Sequence, residues 1–195
     1  MAISSDIQIL GSGTNGGCYL LSIRLEKTQK LRFGMFNHGQ EVCLPQGDFL
    51  YIGSARGEQG TSSLGYRLLR HATRSAGAPP QAIRERLHHA LIDAGLPGKV
   101  PVSKTLHWHI DYLLDQPQAE LCTVLVIRSQ KADEKRIAAY LASLPETSAP
   151  AKGLGASDHA GGTHLLSVNA SSGWLEQLSG MLQDYLKSGD GNLKI

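Results

Sequence analysis

Four side chains that can carry positive charge recur at helical spacing in one segment of the chain. Residues 63–74 read SLGYRLLRHATR, and the spacing i, i+3, i+4 and i+7 places Arg67, Arg70, His71 and Arg74 on one helical face. Arginine presents a planar fork of N–H donors that suits phosphate oxygens. This face therefore predicts a phosphate-binding surface, with the solvated outer face of an ordinary helix as the alternative.

Two tyrosines lie next to glycines in segments that are typical of β-strands. Residues 17–19 read GCY and residues 51–53 read YIG, and the second tripeptide leads into a polar, glycine-rich loop before the basic helix. Packing of the two rings within a sheet is the structural alternative to a chemical role.

The segment 107–111, HWHID, carries a further group of polar side chains. In a helix, His107 and Asp111 are four residues apart and share a face. Such a pair can bind a metal ion, or the carboxylate can orient an imidazole that acts on phosphate. The alternative is an internal hydrogen-bonded pair that ties the helix to the core. The same alternatives apply to a later polar group, which contains Ser157, Asp158 and His164.

Several motifs occur in a fixed order along the chain. They are YIGSA at 51–55, RLLRH at 67–71, HWHIDYLL at 107–114, GLGASD at 153–158 and HL at 164–165. With the two tyrosine tripeptides, they make residues 16–168 resemble the GIY-YIG nuclease superfamily, whose name describes two such tripeptides on neighbouring strands. The closer likeness is to a branch of GIY-YIG-like proteins that has a β-hairpin between the tripeptides and carries these motifs.

The resemblance implies catalytic roles for five residues. In the superfamily the first tyrosine helps to activate water and the second assists or orients it, and these correspond to Tyr19 and Tyr51. Because an unperturbed phenol has a pKa near 10, such a base needs a nearby cation or metal-bound water. Arg67 matches the catalytic arginine that stabilises charge on the phosphate, and His71 matches a position that is often His or Tyr. Glu134 matches the glutamate that holds a single Mg²⁺ or Mn²⁺.

The chain also departs from the family pattern. The first tripeptide is GCY, and His159 and Gly161 stand where relatives often have cysteines, so a cysteine-dependent zinc site is not expected. An insertion at about 75–104 separates HWHID from the basic helix, and the late asparagine of many superfamily nucleases has no counterpart. A carboxylate that stabilises a helix N-terminus without a metal remains the alternative for Glu134.

We expect nucleic acid to contact the surface around the catalytic residues. The predicted nucleic-acid-binding set comprises Gly53, Ser54, Arg70, Arg74, His107, His109, Asp111, Ser157, Asp158 and His164.

Hydropathy patterns and turn residues predict the elements that must position these side chains. Strands are expected at 18–25, 48–53, 120–127 and 164–168, with a hairpin formed by 31–36 and 41–44. Helices are expected at 63–74, 81–94, 107–114, 134–144 and 173–187. This order predicts an α/β (α+β) fold with a mainly antiparallel sheet, an added hairpin and flanking helices. The predicted organisation is an extension at 1–15, a GIY-YIG-like domain at 16–168 and a helical extension at 169–195.

Composition excludes several classes of protein. The 195 residues include 19 Lys plus Arg and 17 Asp plus Glu, and only 18% are charged, so bulk charge cannot hold the chain on nucleic acid. The longest apolar runs are far shorter than the roughly 20 residues of a membrane helix, and no signal peptide is recognisable. The three scattered cysteines indicate free thiols and a reducing cytoplasm.

Three functions remain open at this stage. We favour a metal-dependent endonuclease that cuts DNA, including structured or damaged DNA, with RNA as the less favoured substrate. The second possibility is a binding module that holds nucleic acid without cutting it. The third is a protein–protein interaction domain, or a homodimer, that uses the helix at 173–187.

Overall fold

The computed structural model describes residues 6–156, 162–171 and 173–189. Its strands are β1 (Ile7–Leu10), β2 (Gly17–Leu25), β3 (Gln29–Arg32), β4 (Glu41–Leu44), β5 (Gly47–Ala55), β6 (Ala119–Ile127), β7 (Thr147–Ser148) and β8 (Leu165–Val168). Its α-helices are α1 (Leu64–His71), α2 (Arg84–Asp93), α3 (His109–Leu114), α4 (Glu134–Ala142) and α5 (Trp174–Gly189). Within these residues, no helix is long and apolar enough to cross a bilayer.

Six strands form one sheet in the order β1-β6-β2-β5-β8-β7. Strand β1 runs parallel to β6, and every other neighbouring pair in this sheet is antiparallel. Strands β3 and β4 form a separate two-stranded hairpin. The predicted fold class is therefore confirmed, including the mainly antiparallel sheet, the added hairpin and the flanking helices.

The side chains of β2 contribute to two layers of the core, because successive side chains of a strand point to opposite faces of the sheet. Tyr19, Leu21 and Ile23 pack with α1, α2, α3 and the hairpin. Cys18 and Leu20 pack on the other face with α4 and α5. The sheet is thus covered on both faces, which explains why β2 is apolar almost throughout.

Helix α1 ends at His71, three residues before the end of the predicted helix. Beyond it, the Thr73 amide donates to the Arg70 carbonyl oxygen at 3.1 Å, so the chain leaves the helical path. Arg74 then turns toward the start of β6, where its Nη2 donates to the Ala119 carbonyl oxygen at 2.7 Å. The expectation of four cationic side chains on one exposed helical face is therefore wrong, since Arg74 lies outside the helix and His71 is buried.

Two further elements differ from those expected. Strand β1 was not expected, since it lies inside the segment 1–15 that was predicted to be an extension. It forms by pairing with β6, which is distant in the sequence. Helix α3 begins at His109, two residues later than expected, because the Asp111 carboxylate in its first turn reaches back and accepts the backbone amide protons of His107 and Trp108.

The apolar side of α5 packs against the sheet of its own chain. Trp174, Leu178, Leu182 and Leu186 are all buried in the second core layer. The apolar face that we expected to contact a partner protein or a second copy is therefore already covered, and the dimer remains an untested prediction.

Candidate active site

Tyr19 and Gly53 face each other across the antiparallel pair of β2 and β5. A Cβ atom at position 53 would lie 2.5 Å from both the Cζ and the hydroxyl oxygen of Tyr19. The glycine of YIG therefore leaves the space in which the Tyr19 ring lies across β5. This packing directs the phenol toward α1.

The Tyr19 hydroxyl forms a 2.8 Å hydrogen bond with Nε2 of His71 at the end of α1. On the other side of the imidazole, Nδ1 lies 3.6 Å from Oδ1 of Asp111. Burial lowers the pKa of His71 although Asp111 acts in the opposite direction, so the ring is neutral at pH 7. We assign the proton to Nδ1, which faces the carboxylate, and Nε2 then accepts the hydrogen bond from the phenol. Burial, with a smaller contribution from Tyr51, also raises the pKa of Tyr19 well above its ordinary value.

Asp111 is a buried carboxylate with several partners. Its Oδ2 accepts the amides of His107 and Trp108 and lies 3.0 Å from Nη2 of Arg70, while Oδ1 lies 3.4 Å from Nζ of Lys104. Burial alone would raise the pKa of Asp111, but the nearby His71 imidazole, the charge of Lys104 and the hydrogen bond from the His107 amide hold it below its ordinary value. Asp111 is therefore an ionised anchor for the neutral imidazole.

Arg67 extends along Trp108 at the mouth of the site. Its guanidinium carbon lies 4.2 Å from the centroid of the indole ring, and Nη1 donates to the Ser54 carbonyl oxygen at 3.1 Å. The Nε atom is buried and has no partner among the described residues. Trp108 and Ser54 thus fix the direction of a guanidinium that retains an unused N–H donor.

Glu134 begins α4 on the opposite side of the same cleft. Its Oε1 lies 2.9 Å from Nδ1 of His164, and its Oε2 accepts a short hydrogen bond from the Ser54 hydroxyl. Burial alone would raise the pKa of Glu134, but the bonds from His164 and Ser54 outweigh it and keep the carboxylate ionised. Nε2 of His164 is buried and unpartnered among the described residues.

These side chains line one cleft of about 100 Å³. Its walls are formed by Tyr19, Tyr51, Ser54, Arg67, Trp108, Glu134, Lys135, Gly155, Ala156 and His164. The cleft brings together a hydrogen-bonded phenol, an oriented guanidinium and an ionised carboxylate, which is a combination suited to hydrolysis of a phosphate ester.

Among the residues that the structure describes, the cleft offers a single carboxylate for a divalent cation, that of Glu134. No group of three or more His, Cys, Asp or Glu side chains that could hold a metal occurs in the part of the chain that the structure describes. Mg²⁺ is commonly bound by one or two carboxylates, with water and substrate phosphate as its other ligands. The ionised Glu134 fits that mode of binding and does not fit a cage made entirely of protein ligands.

Several residues of the predicted nucleic-acid-binding set lie elsewhere or have structural roles. His109 accepts a 3.2 Å hydrogen bond from the Gly155 amide through Nδ1, which ties α3 to the loop before β8. Asp111 is fully buried and anchors His71, so the direct contact with nucleic acid that we expected is wrong. Arg74 is held at the start of β6, whereas the ring of His107 is exposed and packs edge-on against Trp108. The remaining two predicted residues, Ser157 and Asp158, lie outside the described residues.

Five residues of the site were not among those predicted, namely Lys104, Trp108, Lys135, Gly155 and Ala156. Trp108 could have been predicted from the sequence, because it lies within the HWHID motif and an indole ring binds an arginine guanidinium through a cation–π contact. Lys104 lies in the insertion and gave no signal, since its burial beside Asp111 depends on how the insertion folds back on α1.

Comparison with known proteins gives one match. The family described as "Domain of unknown function DUF123" matches residues 18–187, and the chain belongs to this family. The searches of curated proteins and of solved structures found no match.

Proposed function

We propose that the protein is a metal-dependent endonuclease that hydrolyses phosphodiester bonds in DNA, as its resemblance to GIY-YIG nucleases implies. The observation that carries the proposal is the 2.8 Å hydrogen bond from the Tyr19 hydroxyl to the neutral His71 imidazole, in a cleft that also contains Arg67 and Glu134.

In the proposed reaction, water attacks phosphorus while its proton passes to the oxygen of Tyr19. Tyr19 gives its own proton to Nε2 of His71 in the same step, because the raised pKa of the phenol disfavours a free phenolate. Asp111 then stabilises the imidazolium that forms, as a carboxylate stabilises the catalytic histidine of other relays. The proton finally returns to the departing alkoxide, directly or through solvent.

Arg67 stabilises the negative charge that grows on the phosphate oxygens. Its Nε–H has no partner among the described residues, so donating to phosphate breaks no existing hydrogen bond of that group. The indole of Trp108 holds the guanidinium in place before substrate binds, which lowers the cost of ordering it.

Glu134 would hold the Mg²⁺ or Mn²⁺, and the bonds from Ser54 and His164 orient its two oxygens. The ion would neutralise charge on the scissile phosphate and the leaving oxygen. We also place the protein in the cytoplasm, in agreement with the free thiols of Cys18, Cys43 and Cys122.

The test is a cleavage assay with single-stranded, duplex, flap and branched DNA and a matching RNA panel, in Mg²⁺ or Mn²⁺ and in EDTA. Glu134→Gln should lose at least a hundredfold in rate while it still binds DNA. Glu176→Gln is the matched control, because Glu176 is also an acidic residue in the first turn of a helix and does not line the cleft. Cleavage that persists in Glu134→Gln, or a folded wild-type protein that cuts nothing, would overturn the proposal and favour a binding module.

A further inference from the structure

The segment between α2 and α3 lies along α1 and is fixed to it at its start by glycine contacts. A Cβ atom at Gly65 would lie 2.3 Å from the Pro97 carbonyl oxygen, and one at Gly98 would lie 2.8 Å from the carbonyl carbon of Gly65. Only residues without side chains allow the two backbones to approach so closely. This part of the insertion is thus packed directly on the helix that carries Arg67.

The far end of the segment is fixed by polar contacts. Buried Lys104 donates from Nζ to the Thr73 carbonyl oxygen at 2.9 Å, and Arg70 donates a short hydrogen bond to the Thr105 carbonyl oxygen. Residues 99–103 are therefore held between two anchor points beside α1.

Between these anchors, apolar side chains form an open groove of about 260 Å³. Tyr66 of α1 lines it together with Thr61, Val100, Pro101 and Val102. Val102 is 97% exposed, which is unusual for a large apolar side chain in a segment fixed at both ends. Arg70 and Lys99 also line the groove, so an apolar floor lies beside positive charge.

Arg70 connects this groove to the candidate active site. Its guanidinium carbon lies 5.0 Å from the ring centroid of Trp108, and Trp108 lines the cleft together with Arg67. Arg67 of the cleft and Arg70 of the groove thus contact the same indole ring, so a polynucleotide bound at Arg67 has the groove within reach.

We propose that this groove binds an unpaired nucleobase of the strand that is cut, so that the preferred substrate is DNA with single-stranded character. The inference rests on the proposed function and names its substrate class. An aromatic ring beside apolar side chains suits the face of a base, and Lys99 at the same groove suits a phosphate that flanks it, whereas Arg70 is already paired with Asp111. In a duplex, neighbouring bases cover both faces of each base, so paired DNA cannot use the groove in this way.

The test measures binding without metal, by anisotropy of a labelled single-stranded oligonucleotide and of the matching duplex in EDTA. Tyr66→Ala and Val102→Ser should each weaken binding of the single strand, with Tyr66→Ala raising Kd about 5- to 100-fold. Tyr66→Phe should stay within about twofold of wild type, because the ring is retained. Ile92→Ala is the control, since Ile92 is another exposed apolar residue, on α2. Duplex affinity should change little in all four variants.

Two results would overturn the inference. One is unchanged binding of single strands by both Tyr66→Ala and Val102→Ser, and the other is an equal loss for single strand and duplex. Val102→Ser keeps the test valid if Tyr66→Ala fails to fold, because an exposed side chain tolerates substitution. If wild type cuts DNA but these variants bind single strands normally, this inference fails alone. A wild-type protein that neither cuts nor binds would refute the proposed function as well.

Discussion

At the scale of single residues, the hydrogen bond between Tyr19 and His71 joins two groups that burial keeps uncharged. Burial raises the pKa of the phenol and lowers the pKa of the imidazole. A neutral phenol and a neutral imidazole form a donor and acceptor pair through which a proton can pass. An imidazolium would present no acceptor to the phenol, so the proposed relay requires unprotonated His71.

The need for an unprotonated His71 determines how the rate of DNA cleavage falls at acid pH. We expect kcat/KM for DNA cleavage to fall with an apparent pKa below about 6.5, the ordinary value for histidine, because the pKa of His71 is lowered. The folded protein then binds fewer protons than the unfolded chain, so the free energy of unfolding should decrease as the pH falls through about 6.5.

A pH–rate profile and thermal unfolding at several pH values check both expectations. His89→Gln is the control, since His89 is exposed on α2 and should not change either profile. A fall of kcat/KM at acid pH with an apparent pKa above about 6.5 would contradict the role given to His71.

Arg67 provides a second prediction at this scale. Arg67→Ala should reduce the rate of cleavage about 100- to 1,000-fold, as expected for the loss of one donor to the transition state. The free energy of unfolding should change by only about 1 kcal/mol, because the half-buried side chain loses one cation–π contact and one hydrogen bond.

Single-turnover rates and thermal unfolding measure these two effects separately. Arg32→Ala serves as the control, because Arg32 lies in an exposed ion pair with Glu41 on the hairpin. Normal cleavage by Arg67→Ala would remove Arg67 from the mechanism.

The pairing of His107 with Asp111 shows what residue spacing can and cannot predict. The spacing predicted that Asp111 orients the imidazole of His107 or binds a metal with it, whereas the imidazole beside the Asp111 carboxylate belongs to His71, 40 residues earlier in the chain. Because α3 begins only at His109, His107 offers its backbone amide rather than its ring. A partner on another element depends on how α1 packs against α3, and helical spacing carries no information about that packing.

At the scale of secondary-structure elements, the register of β2 and β5 places Tyr19 opposite Gly53. This register follows from burial of both strands on both faces, since a slip by one residue would exchange the two core layers. The position of the phenol therefore depends on the absence of a side chain at position 53.

Gly53→Ala tests this dependence. The new methyl group would overlap the Tyr19 ring, so we expect a loss of about 1–3 kcal/mol in the free energy of unfolding and a marked loss of cleavage. Gly180→Ala is the matched control, because a Cβ atom there meets nothing within 4 Å in α5 and should stabilise the helix by about 0.5–1 kcal/mol. Thermal or denaturant unfolding measures the stability of both variants. A Gly53→Ala protein with the stability and the cleavage activity of wild type would contradict the packing argument.

Element types were easier to predict than element ends. The apolar run of β6 and the periodicity of α5 are strong local signals, and both elements occur where they were expected. The end of α1 and the presence of β1 depend instead on contacts with β6, which lies far away in the sequence. Local propensity cannot report such contacts.

At the scale of the whole molecule, the candidate site is assembled from distant parts of the chain. Tyr19 comes from β2, Arg67 and His71 from α1, Asp111 from α3, and Glu134 from α4. The two core layers must both form before these groups meet, because α1 and α3 lie on one face of the sheet and α4 on the other. Loss of activity in any variant therefore needs a measurement of folding beside it.

The most direct test of the account is the single-turnover cleavage rate of Tyr19→Phe beside Tyr140→Phe, with DNA affinity and thermal unfolding measured on both. Tyr140 is a tyrosine of α4 that stacks on Tyr185 and does not line the cleft. Tyr19→Phe keeps the ring and leaves Nε2 of His71 unpaired, at a cost of about 1–3 kcal/mol in stability. We predict a rate 100- to 10,000-fold below wild type at unchanged DNA affinity, with Tyr140→Phe unaffected. Equal rates for folded Tyr19→Phe and wild type would contradict the proposed mechanism.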